Sequence, residues 1–108
     1  MTIEDIQQLT PEQEVEREAQ ARSILESPIF LEACKSLEES LAANRQSIPW
    51  RETEMHTRLI IAEQIYTQIR DHLRMVMQTG EMARLKLKQD EEQRQGILRR
   101  IMSVNLRA

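Results

Sequence analysis

The chain carries one cysteine, Cys34, which excludes an intramolecular disulfide framework and a zinc site built from several cysteines. A reducing, intracellular setting fits a lone thiol best. Aromatic residues are limited to Phe30, Trp50 and Tyr66, so no platform for stacking nucleic-acid bases is available. With only two glycines and three prolines, few positions can break a helix, and the remainder is dominated by Glu, Gln, Arg, Leu, Ile and Met, which are helix formers. No apolar run approaches the roughly 18 residues that cross a bilayer, and the opening stretch MTIEDIQQL is acidic and lacks a signal-peptide core. The expectation is a soluble, unexported protein with no membrane partner. Serine, glycine and proline never gather into a linker and no segment repeats, so residues 1–108 read as a single helical domain.

What is abundant is charge, and it is unevenly placed. Residues 1–50 hold four bases against ten acids, whereas residues 51–108 hold eleven bases against eight acids, so a formal net charge of −3 conceals an acidic half and a basic half. A chain of 108 residues also buries a modest fraction of its surface alone, which self-association would relieve.

The run from Met55 to Thr79 organises the chain. Met55, Leu59, Ala62, Tyr66, Ile69, Leu73 and Val76 advance by alternating steps of 4 and 3, the spacing of a knobs-into-holes seam. Ile60, Ile65 and Met77 lie off that seam, more apolar surface than one neighbouring helix covers. Upstream, Thr10-Pro11-Glu12-Gln13 combines a cap, a first-turn proline and a capping-box glutamine, which predicts a helix over 11–26. Ser27-Pro28 repeats the start signal, and Phe30, Cys34, Leu37 and Leu41 form a matching stripe over 28–46. Pro49 breaks the pattern and holds Ile48 extended, so 28–46 and 52–79 are expected to form an antiparallel helical hairpin. Ile3, Ile6 and Leu9 have helical spacing but too little length to stand alone, leaving 1–9 prone to fray. Thr79-Gly80 predicts a helix stop, since glycine accepts the left-handed cap conformation.

Beyond Gly80 two readings stay open. Helix-forming composition favours a helical tail over 81–108, while the alternation of Ala83, Leu85 and Leu87 with Arg84, Lys86 and Lys88 has the period of a strand. Ile97, Leu98, Ile101 and Met102, interleaved with Arg94, Arg99, Arg100 and Arg107, make the end basic and amphipathic.

Candidate chemistry is thin. His56 and His72 lie about 160° apart around an ideal helix and cannot share a site. Neither has a glutamate three positions before it, because Thr53 and Ile69 stand there, so the di-iron bundle motif is missing. Cys34 sits on an apolar stripe with no neighbouring base to activate its thiol. No nucleophile elbow, phosphate-cradling glycine loop or triad pattern occurs, so no catalytic, cofactor-binding or metal-ligating residue is expected. Two candidate surfaces remain. An oligomer interface is expected at Ile60, Ile65, Ile69, Leu73, Val76 and Met77. Contacts to a partner or to phosphates are expected at Arg84, Lys86, Lys88, Arg94, Arg99 and Arg100, with Trp50 as either an interface anchor or a lid on the hairpin. From Arg84 to Ala108 there are seven bases and three acids, and the alternative to nucleic-acid contact is an electrostatic contact with the acidic half of a neighbouring subunit.

Several stretches carry a resemblance: Ala21-Arg22-Ser-Ile24-Leu25-Glu-Ser-Pro28-Ile-Phe30, then Ala33 and Leu37-Glu38, then Ile69-Arg70-Asp-His72-Leu73, and Val76 through Thr79-Gly80-Glu-Met82-Ala83. Their order resembles small, uncharacterised α-helical proteins that tailed bacteriophages and prophages encode near packaging and head genes. The start of the long helix departs from that group, which is more aromatic where Met55-His56-Thr57-Arg58-Leu59 stands here. The resemblance implies a protein of the host cytoplasm or the virion, working in head assembly or DNA packaging beside other phage head or packaging proteins. It implies no catalytic residue. The leading expectation is a homo-oligomeric adaptor. The alternatives are a small-terminase-like component with non-specific DNA contacts and a host-directed inhibitor that binds a bacterial protein through its amphipathic tail.

Overall fold

The computed structural model describes residues 9–107, with side chains as far as Val104. Ile3 and Ile6 of the expected N-terminal turn lie outside the described residues. Three helices follow one another: α1 (Pro11–Leu25), α2 (Pro28–Ser47) and α3 (Thr53–Arg107). The protein is all-α, as its composition predicts.

The start of α1 follows from its first four residues. Thr10 Oγ1 accepts from the Gln13 backbone N–H at 3.2 Å and Gln13 Oε1 accepts from the Thr10 backbone N–H at 2.9 Å, a complete capping box. Such a cap contributes about 1 kcal/mol by satisfying donors the helix leaves unpaired. Ser27 stands at the corresponding position of α2, but its side chain makes no cap bond; Pro28 and the Ser27 carbonyl, which accepts from Leu31 N–H at 3.0 Å, start that helix. α2 ends where Ile48 turns extended (φ −75°, ψ 122°), the conformation that a following proline imposes.

α2 and α3 form the expected antiparallel hairpin. As the chain advances along α2 from Glu38 to Arg45, the ion-pair partner on α3 retreats from Arg70 to Glu63. Cys34 and Leu59 are buried between the two helices, with Phe30, Leu41 and Tyr66 half-buried beside them.

The expected stop at Thr79-Gly80 does not occur. α3 runs unbroken for 55 residues through Gly80 and Gly96, and no described glycine adopts a positive φ. At 1.5 Å per residue such a helix spans about 82 Å, and the molecule measures 86 × 30 × 22 Å. The reason lies in the seam, whose alternation of 4 and 3 does not end at Val76. It continues in the same phase through Gly80, Ala83, Leu87, Asp90, Arg94, Ile97, Ile101 and Val104. Gly80 therefore occupies a packing position inside a helix, where a cap would need it just outside one. The strand-like alternation of residues 83–87 is helical too, with Ala83 buried, Leu85 exposed and Leu87 half-buried.

α1 packs on α3 around Gly80 and is far more closely applied there than α2 is to either helix. Ala21 and Ala83 are buried at this contact. Small side chains on both helices set the short separation, since the distance between packed helices follows the residues at the contact. The result is a thin, extended core. The radius of gyration is 23.2 Å, against about 13 Å for a compact domain of this length.

Candidate functional site

α3 divides into three zones according to what covers its seam. α2 lies over the first from Met55 to about Arg70, where it buries Leu59 and leaves Met55 and Ile69 about half exposed, α1 covers the second from Val76 to Arg84, and nothing among the described residues covers the third beyond Leu87.

The middle zone is a clamp. A Cβ placed on Gly80 would overlap Cβ of Glu18 and lie 2.8 Å from the backbone oxygen of Glu14, so α1 approaches a surface that only glycine leaves open. Beside it the Glu18 side chain is completely buried, an arrangement that costs several kcal/mol unless the carboxylate is paired. It is paired twice. Arg22 Nη2 donates to Glu18 Oε1 at 2.8 Å and Arg84 Nη2 donates to Glu18 Oε2 at 2.7 Å, joining α1 to α3 through one buried charge. Arg22 also reaches Glu81 Oε1 at 3.3 Å. The bond to Glu18 raises the Arg22 pKa further above its ordinary value, so the cation persists at any ordinary pH.

The first zone holds a second polar cluster. Tyr66 Oη donates to Glu38 Oε1 at 2.7 Å, and Arg70 Nη1 donates to Glu38 Oε1 at 2.9 Å and to Tyr66 Oη at 3.2 Å. The Arg70 guanidinium carbon lies 5.8 Å from the Tyr66 ring centroid. Burial, with hydrogen bonds to Glu38 and Cys34, pushes the Tyr66 phenol up to about 12. This cluster is a hairpin fastener: its groups face one another across α2 and α3, beside an open hollow that Glu38 and Tyr66 line with Leu41, Ala42 and Thr67.

Of the residues expected at an oligomer interface, Ile65, Ile69, Leu73 and Val76 share one face of α3 and Ile60 and Met77 lie off it. Ile65 and Ile69 are exposed and, with Gln68, His72 and Leu73, line a shallow apolar hollow on α3. Val76 faces α1 of its own chain, in a hollow it shares with Leu9, Glu14 and Arg17, so it is already partly covered. Ile60 is exposed but lies about 140° around the helix from Ile65, and Met77 is half-buried. Sequence reasoning passed over Ile61, whose spacing to Ile65 and Ile69 by steps of 4 extends their exposed row.

The basic residues fail to form one patch. Arg84 is held by Glu18, and Arg94 Nη2 donates to Glu91 Oε2 at 2.6 Å. Lys86, Lys88, Arg99 and Arg100 are exposed and fall on two sides of the helix, Lys88 and Arg99 about 20° apart on one and Lys86 and Arg100 about 40° apart on the other. A phosphate backbone tracks a single stripe, and these bases are divided between two sides of the helix. Trp50 is 84% exposed at the hairpin loop and covers nothing, so it is not the lid. His56 contacts the Pro49 carbonyl at 3.1 Å, and His72 is exposed. Among the described residues no group of His, Cys, Asp and Glu has the arrangement of a metal site, and no helix is long and apolar enough to cross a membrane.

The most site-like feature is therefore the uncovered apolar surface of α3, strongest in the third zone. There Ile97 is 56% and Val104 67% exposed on the seam itself, with Leu98, Ile101 and Met102 exposed around them. No protein family, curated protein or solved structure matches the chain.

Proposed function

We propose that this chain is a non-enzymatic assembly protein that works as a homo-oligomer, acting as an adaptor in phage head assembly or DNA packaging. The observation that carries the assembly role is the amount of surface left uncovered. The folded chain exposes 9161 Å², whereas a compact monomer of its mass exposes about 6,200 Å². The difference, on the order of 3,000 Å² per chain, exceeds the share that each partner of a typical obligate interface buries. Exposed apolar side chains lie along it, Met55, Ile69, Ile97, Ile101 and Val104 on the seam itself, and burial of such surface drives association.

The phage context rests on the resemblance carried by Ala21 to Phe30 and Ile69 to Ala83. The engagement of Arg84 by Glu18 and of Arg94 by Glu91, and the division of the other bases between two sides of α3, favour protein contacts over the alternative of phosphate binding. A partner that neutralises several phosphates loses affinity steeply with salt, and these residues would contribute in pairs at most.

Mass measurement in solution tests the assembly role. A defined oligomer at tens of micromolar is the expected result, and a strict monomer at that concentration overturns it. Gene order tests the phage context separately: a gene far from head and packaging genes removes it and leaves the oligomer standing.

A further inference from the structure

We infer that the third zone of α3 pairs with the same zone of a second copy, running antiparallel, so that Asp90 of each chain faces Arg94 of the other. This deepens the homo-oligomer reading and rests on it. The seam beyond the clamp reads Leu87, Asp90, Arg94, Ile97, Ile101, Val104, apolar except for two residues of opposite charge at its centre. Their arrangement selects the orientation. Parallel arms in register would set Asp90 against Asp90 and Arg94 against Arg94, two like-charge pairs at a desolvated seam. Antiparallel arms with the two-fold axis level with residue 92 set Asp90 against Arg94 twice and Leu87 against Ile97 twice.

That register is the one antiparallel helices prefer. Each facing pair joins the two alternating seam positions, which is how knobs meet holes between antiparallel helices. Arg94 already holds Glu91 of its own helix at 2.6 Å. In the paired arms its guanidinium therefore lies between that carboxylate and Asp90 of the second copy, which retains both partners for the cation. The same register brings Ile101 level with Ala83 of the second copy. There the seam passes under α1, and a hollow lined by Leu9, Pro11, Met82 and Ala83 lies open beside the helix. The pairing thus has a natural end, with the exposed Ile101 at the mouth of the neighbouring clamp, where Glu14 and Lys86 also line the hollow. α1 covers the seam from Ala83 back through Gly80, so the paired stretch is limited to Leu87 through Ile97 of each chain.

Cysteine cross-linking of the full chain reads the register directly. Leu87→Cys mixed with Ile97→Cys is expected to give a disulfide-linked dimer under mild oxidation. Either variant alone gives little, because its own copies lie about 15 Å apart in the antiparallel register, beyond the roughly 7 Å that a disulfide spans between Cα atoms. Asp90→Arg, which sets cations against cations, is expected to weaken association by about tenfold or more, and Asp90→Arg with Arg94→Asp to restore it. Both positions are exposed, and unchanged helical circular dichroism certifies that the variants fold. An oligomer whose Leu87→Cys variant cross-links with itself, or whose association ignores the Asp90 reversal, overturns the antiparallel arm while self-association stands. A chain that stays monomeric before any substitution removes both.

Discussion

Gly80 and Gly96 stand in the same helix, yet they do opposite work. At Gly80 a methyl group would run into Glu14 and Glu18 of α1, whereas at Gly96 it would meet nothing within 4 Å. The contrast extends to their surroundings. Around Gly80 the seam is covered, small residues fill the contact and a buried carboxylate is tied by two arginines. Around Gly96 the helix stands free, with Ile97, Leu98 and Ile101 about half exposed. One helix thus contains a finished contact and an unfinished one, and the two glycines report which is which. A glycine kept inside a helix at a cost of about 1 kcal/mol needs a compensating gain. Gly80 has one within the chain. Gly96 has none there.

The strongest way to break this comparison is to give Gly80 a side chain. Gly80→Ala improves intrinsic helix propensity, but the added methyl forces α1 away from α3 and unseats the Glu18 carboxylate. Overpacking of this kind costs up to about 3 kcal/mol, which outweighs the propensity gain. Urea denaturation followed by circular dichroism should show a lower midpoint than the parent chain. An unchanged or raised midpoint would mean that the clamp is not a rigid contact.

The difference between the two zones also explains what the sequence discloses. Caps, proline positions and stripe periods are local signals, and the helices over residues 11–25 and 28–47, the break at Ile48-Pro49 and the antiparallel hairpin follow from them. The continuation of α3 was legible too, because its seam keeps phase through Gly80 and on to Val104. The competing cap signal at Thr79-Gly80 hides it when glycine is read as a terminator. What could not be read locally is the clamp, since Glu14 and Glu18 lie more than 60 positions from Gly80 along the chain. Nothing nearby in sequence marks Glu18 as buried or Arg84 as its partner, and a surface base is the ordinary reading of an arginine among lysines.

Arg84 gives the next largest expected effect. Arg84→Ala leaves the Glu18 carboxylate buried with Arg22 as its one remaining partner, and a half-satisfied buried charge costs about 2 kcal/mol. Lys86→Ala is the matched control, because Lys86 is exposed and makes no ion pair among the described residues. Surface substitutions of that kind stay within about 0.5 kcal/mol. If the two variants unfold at the same urea concentration, Arg84 is an ordinary surface base and the tie between α1 and α3 does not exist.

Gly96→Ala gives the smallest effect, and its sign is opposite to that of Gly80→Ala. With open space around the new methyl, propensity alone acts, and alanine favours the helix by about 1 kcal/mol relative to glycine. Because the third zone packs on nothing within its own chain, that gain should appear locally, as slower amide hydrogen exchange over residues 90–104 and a modest rise in helicity. Exchange around Gly80 should not move. Gly96 also falls outside the seam positions Arg94, Ile97 and Ile101, so a stiffer arm keeps its pairing surface and should associate at least as well as the parent. Loss of association in Gly96→Ala would place a contact on that bare side of α3, and the arm would then have to pair through a face other than its seam.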